Sequence, residues 1–269
     1  MSLFDIEAFK ALKVRREDDL LWITLDDPDH ANALSLQMSA ELTEIYSSDL
    51  RGEGIRAVLL QGAGKNFSAG ADLNHLGTLL DASLEENRRD SERLKSLFES
   101  VLRQETLTIA LVQGACVAGG CGLATAHDFV IAAEDARFMY SEVRIGLVAA
   151  LVATFLPLRL RGSDIRELLL NPEFLSAERA LEIGLINRIE RADELEAKGR
   201  ALAATVLARA SSESIARTKR LLLDVIGRPL GEAFEVAAEA NAESRTTDDC
   251  RWGITSFLET KSPPNWREN

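Results

Sequence analysis

Two glycine-rich loops are the parts of this 269-residue chain whose residue types favour chemistry. They occupy residues 65–73 and 114–123, and each follows a short apolar run and precedes a segment with helical spacing. Glycines allow turns with positive φ and let a ligand approach the backbone closely. A helix that begins at such a loop presents free N–H groups and the positive end of its dipole. Two such N–H groups aimed at one point bind an oxyanion, whereas tight turns alone are the structural alternative.

Alternating strand and helix patterns surround the loops and must position them. This alternation predicts an α/β fold with a mostly parallel sheet. We expect a core over residues 1–190 and a helical C-terminal region over residues 191–269. The predicted strands lie in residues 11–26 (two strands around a polar turn), 57–61, 108–112, 129–132 and 186–189, and the predicted helices cover 36–50 after an N-cap at Ser35, 83–103, 119–126 and most of 148–258.

Composition excludes several classes of protein. The chain has 31 Lys and Arg against 43 Asp and Glu, so its net charge of −12 disfavours a protein that coats nucleic acid or an anionic membrane. Its hydrophobic content of 46% is too high for a disordered chain. Three sparse cysteines predict a reducing compartment, and neither they nor the three histidines show metal-ligand spacing. No signal-peptide pattern is found, so we expect a cytoplasmic protein without a membrane segment.

The loops combine with other segments into a family pattern. Residues 67–73 and 114–128 resemble the two signatures of the crotonase (enoyl-CoA hydratase/isomerase) superfamily. Further matching segments, in order and at family spacing over about residues 12–266, are Asn32-Ala33-Leu34-Ser35, 138–147, 177–188 and 253–264. The resemblance implies a repeated ββα spiral core, with terminal helices that build a trimer or a dimer of trimers. It implies acyl-CoA thioester substrates and no cofactor, because coenzyme A is part of the substrate.

The resemblance also implies which residues act on the substrate. By position, the backbone N–H groups of Ala69 and Gly119 would hold the thioester oxygen, and Glu142 would be the catalytic carboxylate. Hydratases with two glutamates carry the other one at the position of Gly122. Either Glu142 works alone, or the substrate supplies a group, or the reaction is different. The combination of Gly122 with residues 141–147 resembles single-glutamate members such as methylglutaconyl-CoA hydratases.

Several other residues are expected to contact the substrate, each with a structural alternative. Lys65 lies where the acyl-CoA phosphates would pass, or it is a solvated loop lysine. Asp72 braces the first loop, and His75 lines the acyl pocket or is a satisfied surface histidine. Glu142 itself has the alternative of an ion pair with Arg144. The remaining expected contacts are Phe67, Ala71, Leu73, Gly120, Tyr140 and, reaching a neighbouring subunit's ligand, Phe257 and Lys261.

Three functions follow from the resemblance. The first is a 2-enoyl-CoA hydratase, acting on a branched or carboxylated substrate with Glu142 as its single acid and base. The second is a Δ3,Δ2-enoyl-CoA isomerase, because a 1,3-proton shift needs one base and no water. The third is a catalytically silent acyl-CoA-binding protein, suggested by the lost carboxylate at Gly122.

Overall fold

The computed structural model describes residues 9–267, so the first eight residues of the segment searched for a targeting signal lie outside it. The strand-forming runs are rich in β-branched and aliphatic residues, and most are buried. Within the described residues the strands are β1 (Leu12–Glu17), β2 (Leu20–Leu25), β3 (Ala57–Gly62), β4 (Leu107–Val112), β5 (Ala115–Val117), β6 (Phe129–Ala133), β7 (Arg137–Met139), β8 (Leu175–Ser176) and β9 (Arg188–Glu190).

Most of the helices begin at a capping side chain. Ser35 accepts from the amide of Met38 at 3.1 Å, as its predicted N-cap role requires, and Ser83 forms a capping box with Glu86. The α-helices of residues 9–267 are α1 (Leu36–Ser47), α2 (Leu73–Thr78), α3 (Leu84–Arg103), α4 (Gly119–Thr125), α5 (Ala150–Phe155), α6 (Gly162–Leu170), α7 (Ala177–Glu182), α8 (Leu195–Arg209), α9 (Ser212–Asp224), α10 (Leu230–Ser244) and α11 (Asp248–Thr260).

Two sheets organise the core. The larger has the order β1-β2-β3-β4-β6-β9, in which only β1 and β2 are antiparallel. The smaller has the order β5-β7-β8, with β5 and β7 parallel. The runs β4-β5-α4 and β6-β7-α5 are successive ββα units, each with one strand in each sheet. The predicted α/β class and ββα core are confirmed.

Both faces of the larger sheet are covered. One face packs against α1, α3 and α4 in the main hydrophobic core. The other face carries Trp22, Leu59 and Ile109, which pack against Leu202 and Leu207 of α8. A strand buried on both faces reads as a continuous apolar run, which is why residues 57–61 and 108–112 could be recognised in the sequence.

The C-terminal region is helical, as predicted, and its parts differ in burial. Arg56 of the core ties α8 and the C-terminal tail together, because its guanidinium donates to the carbonyl groups of Leu207 and Trp266. Helices α10 and α11 instead bury none of their side chains. Of the helices in residues 9–267, none combines the length and apolar composition needed to cross a bilayer.

Candidate functional site

Three chain segments leave the strands at one edge of the fold. Ser68 bridges Cys116 in parallel, and β5 pairs in parallel with β7, so that Val117 lies beside Met139. The amide of Ala118 donates to the carbonyl of Met139 at 2.7 Å. Neighbouring strands lie about 4.8 Å apart. Ala71, Gly119 and Glu142 therefore follow adjacent parallel segments, each three residues after Ser68, Cys116 or Met139.

A buried asparagine holds the first loop against the preceding segment. Asn32 has a positive φ of 52°, and its Nδ2 atom donates to the carbonyl groups of Ala63 and Asn66 at 2.9 Å each. Its own carbonyl accepts from the hydroxyl of Ser68 at 2.7 Å. The amide of Leu34 donates to the carbonyl of Gly70 at 2.7 Å. These bonds fix the direction in which the first loop approaches the second.

Two glycines allow that close approach. A Cβ atom on Gly70, which has a φ of +83°, would lie 2.5 Å from the carbonyl oxygen of Val117 and 3.0 Å from the amide nitrogen of Gly119. A Cβ atom on Gly120 would lie 2.8 Å from the Cβ atom of Ser68. Gly120 is therefore a packing residue that lets α4 lie on the first loop, and its predicted substrate contact stays a prediction.

The predicted pair of amide donors needs one correction. The amide of Ala69 already donates to the carbonyl of Ala31 at 2.8 Å, so it is not free to hold a substrate oxygen. The amides of Ala71 and Gly119, by contrast, donate to no acceptor among residues 9–267. The Ala71 nitrogen lies 3.8 Å from the position of a Cβ atom on Gly119. Two unused N–H groups, those of Ala71 and Gly119, therefore lie where the loops touch. The oxyanion role predicted for Gly119 stays a prediction, and Ala71 takes the place of Ala69 in it.

Backbone strain aims the second donor. Ala118, directly before Gly119, has a φ of 47° and a ψ of −120°, a conformation that is costly for a residue with a side chain. Its own amide is fixed by Met139. The turn at Ala118 starts α4 at Gly119 immediately after β5, and the N–H group of Gly119 therefore has no partner within the helix.

Glu142 begins a short 3₁₀-helix, Glu142–Ile145, directly after β7. Its Oε2 atom is buried and has no hydrogen-bond partner among the described residues. Burial raises the pKa of this carboxyl above its usual range. The alternative of an ion pair with Arg144 is wrong, because no basic group in residues 9–267 lies within ion-pair distance of Glu142. A buried carboxyl oxygen without a partner is costly to stability, which is typical of a functional position.

Apolar side chains fill the place of a second carboxylate. A Cβ atom on Gly122 would lie 2.6 Å from the Cγ1 atom of Val152 and 2.8 Å from the Cζ atom of Phe98. Gly122 is one turn along α4 from Gly119 and faces the same side. No side chain fits at residue 122 unless Phe98 and Val152 move. Core side chains therefore occupy the space that a glutamate at residue 122 would need.

A small cavity opens beside the amide pair. It has a volume of about 50 Å³ and is lined by Ala71 and Gly119 together with Leu34, His75 and Asp90. A larger cavity, about 680 Å³, lies at the opposite ends of the strands and is lined by Tyr46, Arg51 and Glu105, of which Arg51 and Glu105 form an ion pair. The site is thus set by the two amides and not by the size of the cavity.

The other residues predicted to contact the substrate differ in burial. Phe67 is fully buried in the main core and Tyr140 is 1% exposed, so the structure does not present either side chain to a ligand. Tyr140 instead approaches the hydroxyl of Thr125 at 3.4 Å. Asp72 caps α2 by accepting from the amide of Asn74 at 2.9 Å, and it also lines the small cavity. Exposed side chains are those of Lys65, Leu73, Phe257 and Lys261.

Sequence reasoning missed two contributors. Asn32 enters the sequence pattern only as part of a family segment, yet its Nδ2 atom donates to the carbonyl groups of Asn66 and Phe67 and its own carbonyl accepts from Ser68, so it holds the first loop in place. Asp90 was missed because it lies on a strongly charged helix, where one carboxylate looks like any other. Only its contact distinguishes Asp90 from the other carboxylates of this helix, because its Oδ1 atom lies 2.7 Å from the Nε2 atom of His75. No cluster of three or more metal-ligating side chains occurs in residues 9–267.

Known proteins resemble this chain over nearly its whole length. A protein of Thermus thermophilus that is provisionally named an enoyl-CoA hydratase is 41% identical over 241 residues, covering 90% of this chain and 95% of that protein. The peroxisomal Δ(3,5)-Δ(2,4)-dienoyl-CoA isomerase of Arabidopsis thaliana is 27% identical and covers 96% of this chain and 98% of that protein.

A solved structure has the same fold. The crystal structure of an enoyl-CoA hydratase from Mycobacterium smegmatis matches with a TM-score of 0.88 at 29% identity, covering 96% of this chain and 99% of that one. The family model described as enoyl-CoA hydratase/isomerase matches residues 15–269. The chain therefore belongs to the enoyl-CoA hydratase/isomerase family and is an enzyme of that family.

Proposed function

We propose that the protein adds water across the double bond of a 2-enoyl-CoA, with the amides of Ala71 and Gly119 as its oxyanion hole. One observation carries the proposal. The buried Oε2 atom of Glu142 has no partner and follows the strand next to the one that leads to the Gly119 amide. A carboxyl group that the fold leaves unused beside two unused N–H groups is suited to proton transfer on a bound thioester.

The geometry supports the following course. The thioester oxygen accepts from Ala71 and Gly119, which draws electrons from the double bond. The oxygen of water bonds to the β-carbon, and the π-electron pair moves onto the thioester as an enolate. Glu142 in its protonated form gives its proton to the α-carbon, and the proton lost by the water restores it. Burial favours this protonated form, because it raises the pKa of Glu142. Removing one oxyanion donor costs about 3 kcal/mol in such sites.

The test combines a substrate panel with one variant. Short, branched, carboxylated and aromatic 2-enoyl-CoAs are incubated with the protein, and mass analysis detects the addition of water. We expect Glu142→Ala to reduce the rate at least about 100-fold, whereas the exposed control Glu134→Gln keeps it. An unchanged rate in Glu142→Ala rejects the assignment. Binding without turnover across the whole panel would instead support the silent acyl-CoA-binding function.

A second candidate rests on the apolar wall at Gly122. Phe98 and Val152 keep this side of the site free of a second carboxylate, and a 1,3-proton shift needs only one base. A Δ3,Δ2-enoyl-CoA isomerase is therefore the alternative. A 3-enoyl-CoA substrate separates the two, because an isomerase yields the 2-enoyl isomer with unchanged mass and a hydratase adds water to that isomer.

Substrate class and assembly are part of the same proposal. A branched or carboxylated acyl group stays the expected substrate, with Lys65 beside the coenzyme A phosphates. The unburied apolar side chains of α10 and α11, which include Phe234 and Phe257, favour self-association into a trimer or a dimer of trimers. Native mass measurement decides the stoichiometry. In that assembly Phe257 and Lys261 would reach a neighbouring subunit's ligand.

A further inference from the structure

A histidine–aspartate pair lies in the small cavity that the two free amides line. His75 and Asp90 are joined at 2.7 Å between Nε2 and Oδ1, and each side chain is only about a fifth exposed, at 22% and 23%. His75 lies in the first turn of α2, four residues after Ala71 and three after the N-cap Asp72. Both residues line the cavity together with Ala71 and Gly119. The pair therefore belongs to the same chamber as the amides, and the course given above makes no use of it.

The hydrogen bond to Asp90 fixes what His75 can offer. A carboxylate accepts only, so the neutral imidazole donates from Nε2 and leaves Nδ1 as an acceptor. Nδ1 has no partner among residues 9–267. Arg93 approaches the same Asp90 oxygen at 3.5 Å, and Asp72 is engaged as the cap of α2. A carboxylate that orients an imidazole whose other nitrogen is free is the arrangement that takes a proton from a hydroxyl group or from water.

The chamber also has room for the molecule concerned. A volume of about 50 Å³ holds a few water molecules, and the polar groups around it give such a water its hydrogen bonds. Hydration needs a group that binds the attacking water, and residue 122 cannot supply one because Phe98 and Val152 occupy its space. His75 flanks the Ala71 side of the amide pair, whereas Glu142 follows the strand beside Gly119.

We propose that His75, oriented by Asp90, is a second proton-transfer residue that binds the attacking water through Nδ1. This inference rests on the proposed hydratase function. As the water oxygen bonds to the β-carbon, Nδ1 takes one proton from the water. The π-electron pair moves onto the thioester, and the carboxyl group of Glu142 gives its proton to the α-carbon. The imidazolium then returns its proton through the chamber water to the Glu142 carboxylate, so that one water molecule has been added and both residues are reset.

Two reactions on the same site separate this role from a structural one. Hydration of a 2-enoyl-CoA needs both residues, whereas exchange of the α-hydrogens of a saturated acyl-CoA in D₂O needs the amides and Glu142 alone. The variants are His75→Gln and Asp90→Asn. The matched control is His30→Gln, because His30 makes a similar pair with Asp27 at 2.8 Å on the surface, where its side chain is 69% exposed.

We expect His75→Gln to lower kcat for hydration about 100-fold with little change in KM, and to leave α-hydrogen exchange unchanged. Asp90→Asn lowers hydration as well, because an amide that donates to Nε2 moves the imidazole proton to Nδ1 and removes the acceptor. The control keeps both reactions. Hydration that persists in His75→Gln overturns the inference, and so does an equal loss of both reactions. A wild-type protein that exchanges hydrogens but hydrates nothing overturns the hydratase function instead.

Discussion

Two partly buried carboxyl groups, those of Asp128 and Glu142, differ in how the fold supplies them with partners. Asp128 accepts from the amide and the hydroxyl of Thr108 at 2.8 and 3.0 Å and from the ammonium group of Lys219 at 2.7 Å. Glu142 has a buried oxygen that accepts from nothing in the described residues. Both follow closely on core segments, but only one is satisfied.

This difference in hydrogen-bond partners indicates which of the two carboxyl groups is available for proton transfer. A carboxylate with a full set of partners contributes to the stability of the fold and has no oxygen left for a substrate. Asp128 joins the core to α9 in this way, since Lys219 also donates to the carbonyl of Thr106 at 2.7 Å. Glu142 gains nothing comparable from the folded chain, and burial raises its pKa. This cost agrees with the proposal that a substrate supplies the missing partner.

Exchanging the unsatisfied carboxyl group should have the largest effect on activity. We expect Glu142→Gln to lower turnover of a 2-enoyl-CoA about 1,000-fold, because the amide cannot transfer a proton. The free energy of unfolding should change by less than about 1 kcal/mol, since no partner is lost. Steady-state kinetics and urea denaturation on one preparation check both values. A large loss of stability would show that Glu142 is structural.

Replacing Asp128, the carboxyl group that the fold supplies with partners, should reduce stability and leave activity nearly unchanged. Asp128→Ala leaves the ammonium group of Lys219, whose side chain is only 12% exposed, without its charge partner. We expect the free energy of unfolding to fall by about 3 kcal/mol. Turnover per folded molecule should stay within about twofold of the wild type. The double variant with Lys219→Met should recover part of the loss, and full additivity of the two effects would contradict the pairing.

Adding a methyl group at Gly122 tests how tightly Phe98 and Val152 pack against this position. Gly122→Ala places a carbon 2.6 Å from Val152 and 2.8 Å from Phe98. Over-packing of this kind costs about 1–3 kcal/mol, which thermal denaturation detects. A second substitution, Phe98→Leu, should relieve part of the cost because it shortens the side chain that the new carbon meets. Wild-type stability of Gly122→Ala would show that Phe98 and Val152 can move aside, which would contradict tight packing at this position.

The smallest effect is a dependence of stability on pH. The pKa of Glu142 is raised by burial from an ordinary value of 4.5, so between these two values the folded chain binds more protons than the unfolded chain. The stability due to this group is therefore present in acid and is lost as the pH rises through the raised pKa. The difference in melting temperature between wild type and Glu142→Gln, followed across this range, should show that loss. A difference that does not vary with pH would contradict the raised pKa.

The sequence predicted the parts of the fold that depend on local pattern. The apolar runs of β3 and β4 and the N-cap at Ser35 act over a few residues, and these two strands and helix α1 appear where the pattern placed them. Glu142 and Gly119 were found through the family pattern, and the structure adds their burial and their unused polar groups.

Contacts between distant residues could not be predicted in this way. Ala69 and Ala71 lie in one small-residue loop, and only the carbonyl of Ala31 shows which amide is already bonded. Phe67 was predicted to contact the substrate because it belongs to the first loop, yet its side chain is fully buried in the main core. The hydrogen bond between His75 and Asp90 joins helix α2 to helix α3, and no local sequence pattern predicts this contact.

The most direct test of the account follows α-hydrogen exchange into a saturated acyl-CoA in D₂O by proton NMR. This reaction isolates the step assigned to the Ala71 and Gly119 amides with Glu142, because no water is added. The account predicts that the wild-type protein exchanges the α-hydrogens and that Glu142→Gln slows the exchange at least about 100-fold while keeping the fold. Equal exchange by both proteins would contradict it.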